Sequence, residues 1–170
     1  LIVAQNAGTG EKQQGEIDEL LMSDDVSSYA PVHYETVTKI AGKKGDRQQI
    51  KLIVPEDSGA LSEYISLINR KSGKSISLTD DGCVISERLS EVTGASVGDA
   101  IEFTDADGNQ RNCMVSGITE MYTGHFIFMS KGAYESSFDE SYASDAYLIT
   151  LSDRLAENAK AQASRFIELD

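Results

Sequence analysis

The chain is short of cations and of imidazoles: 15 Lys and Arg stand against 28 Asp and Glu, for a formal net charge of −13, and there are two histidines. The first shortage excludes a general phosphate-backbone binder, because duplex affinity comes chiefly from Lys and Arg displacing counterions. The basic groups that exist, Lys39 with Lys43 and Lys44 and Arg70 with Lys71 and Lys74, lie beside Gly42, Gly45 and Gly73 and read as solvated loops. His33 and His125 are too few for a His-rich metal site and lack the spaced partners of a zinc motif. Long apolar runs are also missing. Nothing approaches the roughly 20 apolar residues of a membrane helix. The opening Leu1-Ile-Val-Ala carries neither an initiator Met nor a charged leader, so the sequence reads as a piece of something longer.

What is present is a well-patterned globular chain, with 40% hydrophobic and 25% charged residues in 170. Residues 80–130 carry the most information. Asp80-Asp81-Gly82 is a turn, and Cys83-Val-Ile85 a short apolar strand. Ser86 can cap a helix through its hydroxyl; Glu87 suits the positive helix end, Leu89 and Val92 share a face, and Gly94 is the stop. After Val97-Gly98-Asp99, residues 100–104 alternate, with Ile101 and Phe103 on one side. Asp105-Ala-Asp-Gly-Asn109 turns the chain back and residues 111–118 return with Cys113 and Val115 on one face, which predicts an antiparallel hairpin.

On either side of this stretch the pattern is α+β. Residues 5–15 read as a flexible lead-in, followed from Glu16 by a short helix with Ile17, Leu20 and Leu21 on one stripe. Residues 26–40 predict a long strand, with Pro31 marking an edge, and residues 49–54 its partner, ended by Pro55. A helical turn from Asp57 or Ser58 would put Leu61, Tyr64, Ile65 and Ile68 on one face, and residues 76–78 are a short extended piece. Residues 126–129 form a run buried on both faces, and Tyr134 and Phe138 belong to a short helix. Residues 147–151 predict a strand, and Ser152 caps a last helix carrying Leu155, Ala159, Ala163, Phe166 and Ile167 on one side. No internal repeat is evident. The expected architecture is two lobes: residues 1–56 with 143–170 as one α+β lobe built from both chain ends, and residues 57–142 as an inserted β-rich lobe.

A strand reading CVIS, then ERLSEVTG, a VGD turn, a hairpin, VSGITE and finally MYTGHFIFMSKGAY resembles the extracytoplasmic domain of FtsX-like ABC-transporter permeases, also described as the MacB-like periplasmic domain. The resemblance runs from about Gln49 onward. It implies a porter-like lobe near the membrane, a β-rich lobe beyond it, and residues 152–170 as a stem moved by flanking membrane helices. It also implies localisation at the cell membrane on the extracytoplasmic side. The implied partners are a cytoplasmic ABC ATPase reached through the membrane part, a second permease copy and an extracytoplasmic protein or peptide. No cofactor is implied in this domain, since a separate cytoplasmic ATPase would use the ATP. On that side of the membrane Cys83 and Cys113, the whole thiol inventory, have two readings: a disulfide, or two buried free thiols.

The remaining motifs point away from chemistry. Asp105 to Asn109 has the look of a calcium loop, but the twelfth position falls on Ser116 and a strand follows, so turn chemistry accounts for it. Val115-Ser116-Gly117 lacks the Gly that a nucleophile elbow needs before its Ser, and Gly8-Thr9-Gly10 lacks both the preceding strand and the Lys of a phosphate loop. The expectation is a non-catalytic module with no catalytic, cofactor or metal residues. The alternatives are a free-standing secreted ligand- or peptide-binding module and a small acidic hydrolase built on His33 or His125.

Overall fold

The computed structural model describes residues 2–4, 11–42, 45–121 and 123–152. The fold is α+β, with eight strands and three α-helices among these residues. The described residues up to Val32, together with those from Asp145 onward, form one compact unit, and His33–Ser144 forms the other.

In the first unit, β8 (Ala146–Leu151) lies between β1 (Ile2–Ala4) and residues 26–32 of β2 (Val26–Ala41), antiparallel to both. Ile2 stands opposite Leu148 and Tyr29 opposite Ile149. Helix α1 (Glu11–Leu21) buries Ile17 and Leu21 against Ile149, with Leu20, Val26, Tyr147 and Leu151 packed around them. This is the stripe expected from the spacing. The helix begins five residues before Glu16, however, so residues 11–15 are not a lead-in. Glu, Lys and Gln are good helix formers, and a single solvent-exposed glycine, Gly15, weakens a helix without breaking it. The Ser23 hydroxyl donates to Leu20 O at 2.7 Å and closes the end. The last helix, expected with Ser152 as its cap, falls from residue 153 onward on residues outside those described.

The second unit is built from residues 33–41 of β2, β3 (Asp46–Pro55), β4 (Cys83–Ser86), α2 (Glu87–Thr93), β5 (Ala100–Thr104), β6 (Gln110–Thr119), β7 (Phe126–Met129) and α3 (Lys131–Phe138). Its strands run in the order β2-β3-β7-β4-β6-β5, and Thr38 pairs with Thr104, so β5 returns to β2 and the ring closes. Inside lie Val37, Leu52, Val54, Ile85, Phe103, Val115 and Ile127, with Leu89 of α2 and Tyr134 and Phe138 of α3. Each such side chain contributes about 1.5–3 kcal/mol by leaving water. The hairpin expected over residues 100–118 is β5–β6, with Ile101 opposite Cys113. The apolar run of β7 is a central strand, paired with β3 on one side and β4 on the other.

The order of elements reveals a repeat that the residues conceal. A hairpin (β2–β3) is followed by strand, serine and helix (β4, Ser86, α2). A second hairpin (β5–β6) is followed by the same set (β7, Ser130, α3). Each hairpin then pairs in parallel with the strand of the other half, β3 with β7 and β6 with β4. The two strands meet antiparallel at Val84 and Phe128, where a local two-fold relates the halves. Both serines are buried, and their hydroxyls accept the N–H three residues on, from Leu89 at 3.3 Å and Ala133 at 3.1 Å. Both helices end on a left-handed residue, Gly94 (φ 76°) and Asp139 (φ 56°).

The two units part inside β2, between Val32 and His33: residues 26–32 pair with β8 and residues 33–41 belong to the ring. One expectation needs correction: residues 57–68 do not make a helix with one apolar face. They hold a single 3-10 turn, Ala60–Glu63; Leu61 and Leu67 are buried while Ile68 is exposed and bridges Ser75. The Asp57 carboxylate takes the Gly59 N–H at 2.8 Å and Ser62 donates to Gly59 O, local bonds that compete with helix propagation.

Candidate functional site

The halves of the ring differ most in one connection. Residues 120–125 join β6 to β7, whereas residues 56–82 join β3 to β4. Excursions of the second length are uncommon in compact units, and those that are ordered are often functional. This one is fixed to the ring by hydrogen bonds from both sides. The Ile68 N–H donates to Thr119 Oγ1 at 3.0 Å, and the Glu120 N–H donates to Ile68 O at 2.8 Å. Gly117 allows the contact, since an ideal Cβ there would stand 2.9 Å from Ile76 Cγ2. Residues 69–74 close a small loop, with the Asn69 side chain accepting from the Ser72 N–H at 3.0 Å.

The excursion encloses a groove of about 450 Å³ between its two arms, lined by Leu61, Ser62 and Ile65 on one and Ile76, Ser77 and Leu78 on the other. Among the described residues its lining is made of serine, glycine, leucine and isoleucine. Hydroxyls and aliphatic carbons can bind a neutral surface but supply no general acid or base. A second cavity, about 530 Å³, lies where Arg70 meets Glu87 at 3.3 Å, with Glu91, Val97 and Glu120 around it. Sequence reading assigned no site to either place. The available signal was length, too many residues between Pro55 and Cys83 for a simple turn.

The residues singled out from the sequence fall elsewhere. Asp105 accepts from the Asn109 N–H at 2.7 Å, from Asn109 Nδ2 at 3.2 Å and from Arg111 Nε at 2.7 Å. Burial pushes its carboxyl up, but the bonds from Arg111 and Asn109 outweigh burial and hold it below the usual range. Its oxygens serve the turn. Arg111, which sequence reading passed over, also bonds Glu140 at 2.8 Å and the Phe138 carbonyl, with its guanidinium 5.0 Å from the Phe138 ring centre. Asp80 accepts from Ser130 Oγ at 2.6 Å, so its carboxylate covers the start of α3.

His33 packs its ring on Tyr134, 4.9 Å between centres, with Nε2 3.5 Å from Glu35. Glu35 in turn accepts the Ala106 N–H at 2.6 Å. His125 lies at the entry to β7, where its carbonyl accepts the Lys51 N–H at 2.9 Å. Burial, aided by the charge of Arg88, pushes its imidazole below the usual value. Cys83 and Cys113 are buried free thiols on the neighbouring strands β4 and β6, with Cys113 Sγ 3.7 Å from the Met114 carbonyl oxygen. The influence of Cys113, with burial, drives the Cys83 thiol far up, while that of Cys83 makes Cys113 the easier of the two to ionise.

No helix among the described residues is long and apolar enough to cross a membrane. No family model matches the chain, and no curated protein matches it. Among solved structures it is similar to the extracellular domain of YknZ, an ABC-type transporter from Gram-positive bacteria, at 12% identity, 92% coverage of this chain, 86% of that chain and a TM-score of 0.46. It is also similar to the periplasmic region of MacB from Actinobacillus actinomycetemcomitans, at 11% identity, 97% and 82% coverage and a TM-score of 0.45.

Proposed function

We propose that this chain is the extracytoplasmic domain of an FtsX-like ABC-transporter permease, a non-catalytic module that docks an outside partner and passes on motion generated by ATP hydrolysis in the cytoplasm. The observation that carries the reading is the pairing of β1 with β8. Ile2 stands opposite Leu148 and the strands are antiparallel, so the first and last described strands of the first unit lie side by side. A domain inserted between two membrane helices needs its ends together, and a separate unit can then project outward. On this reading the first unit is the porter-like lobe and His33–Ser144 the inserted β-rich lobe. The resemblance noted from the sequence adds support, because its pieces, from CVIS through VSGITE to HFIFMSKGAY, belong to one unit. The ATP is used by a separate cytoplasmic subunit or domain, with a second permease copy alongside.

The intact gene product tests this. Hydrophobic spans on both sides of residues 1–170 are expected, with membrane fractionation, protease access from outside and copurification with a nucleotide-hydrolysing subunit. A single cleavable leader and release into the medium would overturn it. That outcome would favour a free-standing secreted binding module, a reading supported by the uncharged groove of the excursion.

A further inference from the structure

The two thiols lie in the second unit, where neither binding nor motion has been assigned to them. Cys83 opens β4 opposite Val115 of β6, and Cys113 is two residues earlier on β6, so both side chains share the interior face. Each thiol is also the first influence on the other's ionisation. The strands also approach very closely at this point: a Cβ on Gly82 would stand 2.3 Å from Met114 O, which only glycine permits. The ladder register shifts between Cys83 and Val84, where the regular pairing is locally disrupted.

We propose that Cys83 and Cys113 are an oxidisable pair, joined as an intrachain disulfide when the domain folds in the presence of a small-molecule or protein disulfide oxidant. The inference about location rests on the extracytoplasmic reading; the chemistry does not. The Cys113 sulfur, as thiolate, attacks one sulfur of the oxidant disulfide and expels the other as a thiolate. The Cys83 sulfur then loses its proton and attacks Cys113 Sγ, expelling the second oxidant thiolate. Two protein thiols and one oxidant disulfide become one protein disulfide and two oxidant thiols, so electrons and protons balance. The two roles are interchangeable, because before β6 and α3 pack neither thiol has its folded surroundings. Cys83 is 0% and Cys113 5% exposed, so exchange takes place before β6 and α3 are packed, and the finished bridge is shielded from reductant.

The test uses the whole chain. Purified protein is denatured, reduced and refolded in a glutathione redox buffer, then alkylated and weighed intact. The expected product has lost the mass of two hydrogens, takes up no alkylating reagent, and yields a peptide joining Cys83 to Cys113. It should also melt higher than the same chain refolded with reductant. Two alkylated cysteines after oxidative refolding, or an oxidised form that melts no higher than the reduced one, would overturn the proposal. Cys113→Ala, refolded alongside, should show no mass loss, which separates the intrachain bridge from adducts. Trapping thiols in intact cells is the second arm. A bridge in the tube together with free thiols in cells upholds the chemistry and counts against the extracytoplasmic location.

Discussion

Replacing Arg111 by methionine removes a side chain that ties the β5–β6 turn to the end of α3. Its guanidinium, 14% exposed, donates to Asp105 at 2.7 Å, to Glu140 at 2.8 Å and to the Phe138 carbonyl, and covers the Phe138 ring. The Glu140 arm is half in water, 53% exposed, and exposed pairs contribute at most about 1 kcal/mol. The Asp105 arm decides the size of the effect. That carboxylate is 5% exposed, and a buried charge that loses its partner costs about 3–5 kcal/mol. Asn109 keeps its two bonds to Asp105 and recovers part of this, so Arg111→Met should destabilise by about 2–3 kcal/mol. Urea unfolding at pH 7 reads it as a lower midpoint at unchanged slope. Arg111→Lys should recover little, because an ammonium cannot reach three acceptors in a planar fork. The pH dependence has a definite sign. Asp105 titrates lower when folded than when unfolded. Its contribution is therefore full above the unfolded value, about 3.9, and is lost as pH falls through the folded one. The penalty of Arg111→Met should accordingly shrink below about pH 4, where Asp105 becomes neutral in the variant. A variant within about 0.5 kcal/mol of the wild type at pH 7, or a penalty that grows on acidification, would refute the assignment of Asp105 as the group that needs Arg111.

Three further substitutions read the packing directly. Gly82→Ala puts a methyl group 2.3 Å from the Met114 carbonyl oxygen, so two backbones must part; the expected cost is about 3 kcal/mol in thermal melts, and a neutral result would deny the close approach of β6 to Gly82. Gly15→Ala meets nothing within 4 Å on an exposed helical face and should stabilise by about 0.5–1 kcal/mol, measured the same way. Ser86→Ala removes the cap on Leu89 and strands the Phe126 N–H, which bonds the same hydroxyl at 3.1 Å, so denaturant unfolding should show a loss of about 2–3 kcal/mol.

What the sequence disclosed is what depends on near neighbours. Ser86, Leu89 and Gly94 spell out a helix within nine residues, and the alternation of Ile101 and Phe103 with the turn at Asp105 to Asn109 spells out a hairpin. The parallel pairings of β3 with β7 and β4 with β6 carry no local mark, since partners such as Leu52 and Ile127 meet only when the ring closes. Arg111 was invisible for the same reason: Gln110 and Asn112 beside it are unremarkable, and Phe138 and Glu140 lie far along the chain. The repeat was hidden because the halves share roles rather than residues. Where one helix stops on Gly94 the other stops on Asp139, and Leu89 answers to Ala133.

That two-fold frame makes the excursion separable, which leads to a stronger test. The short half shows that the six residues 120–125 suffice to carry a chain from the hairpin strand into the strand that precedes a helix. By symmetry a connector of the same length should join β3 to β4. Loop closure costs about 0.6 kcal/mol per doubling, so a change between these two lengths alters stability by only about 1.3 kcal/mol through chain entropy. The excursion's own anchors, Ile68 to Thr119 and Glu120, and its buried Leu61 and Leu67, leave with it. A connector that retains Asp80, Asp81 and Gly82 keeps the carboxylate over the start of α3 and the close contact with Met114. The shortened chain should therefore unfold cooperatively, with the circular dichroism and amide shifts of the ring preserved, while the groove and whatever binds in it are lost. A molten or unfolded product would mean that residues 56–82 are part of the frame, and the two-fold description of this unit would then be wrong.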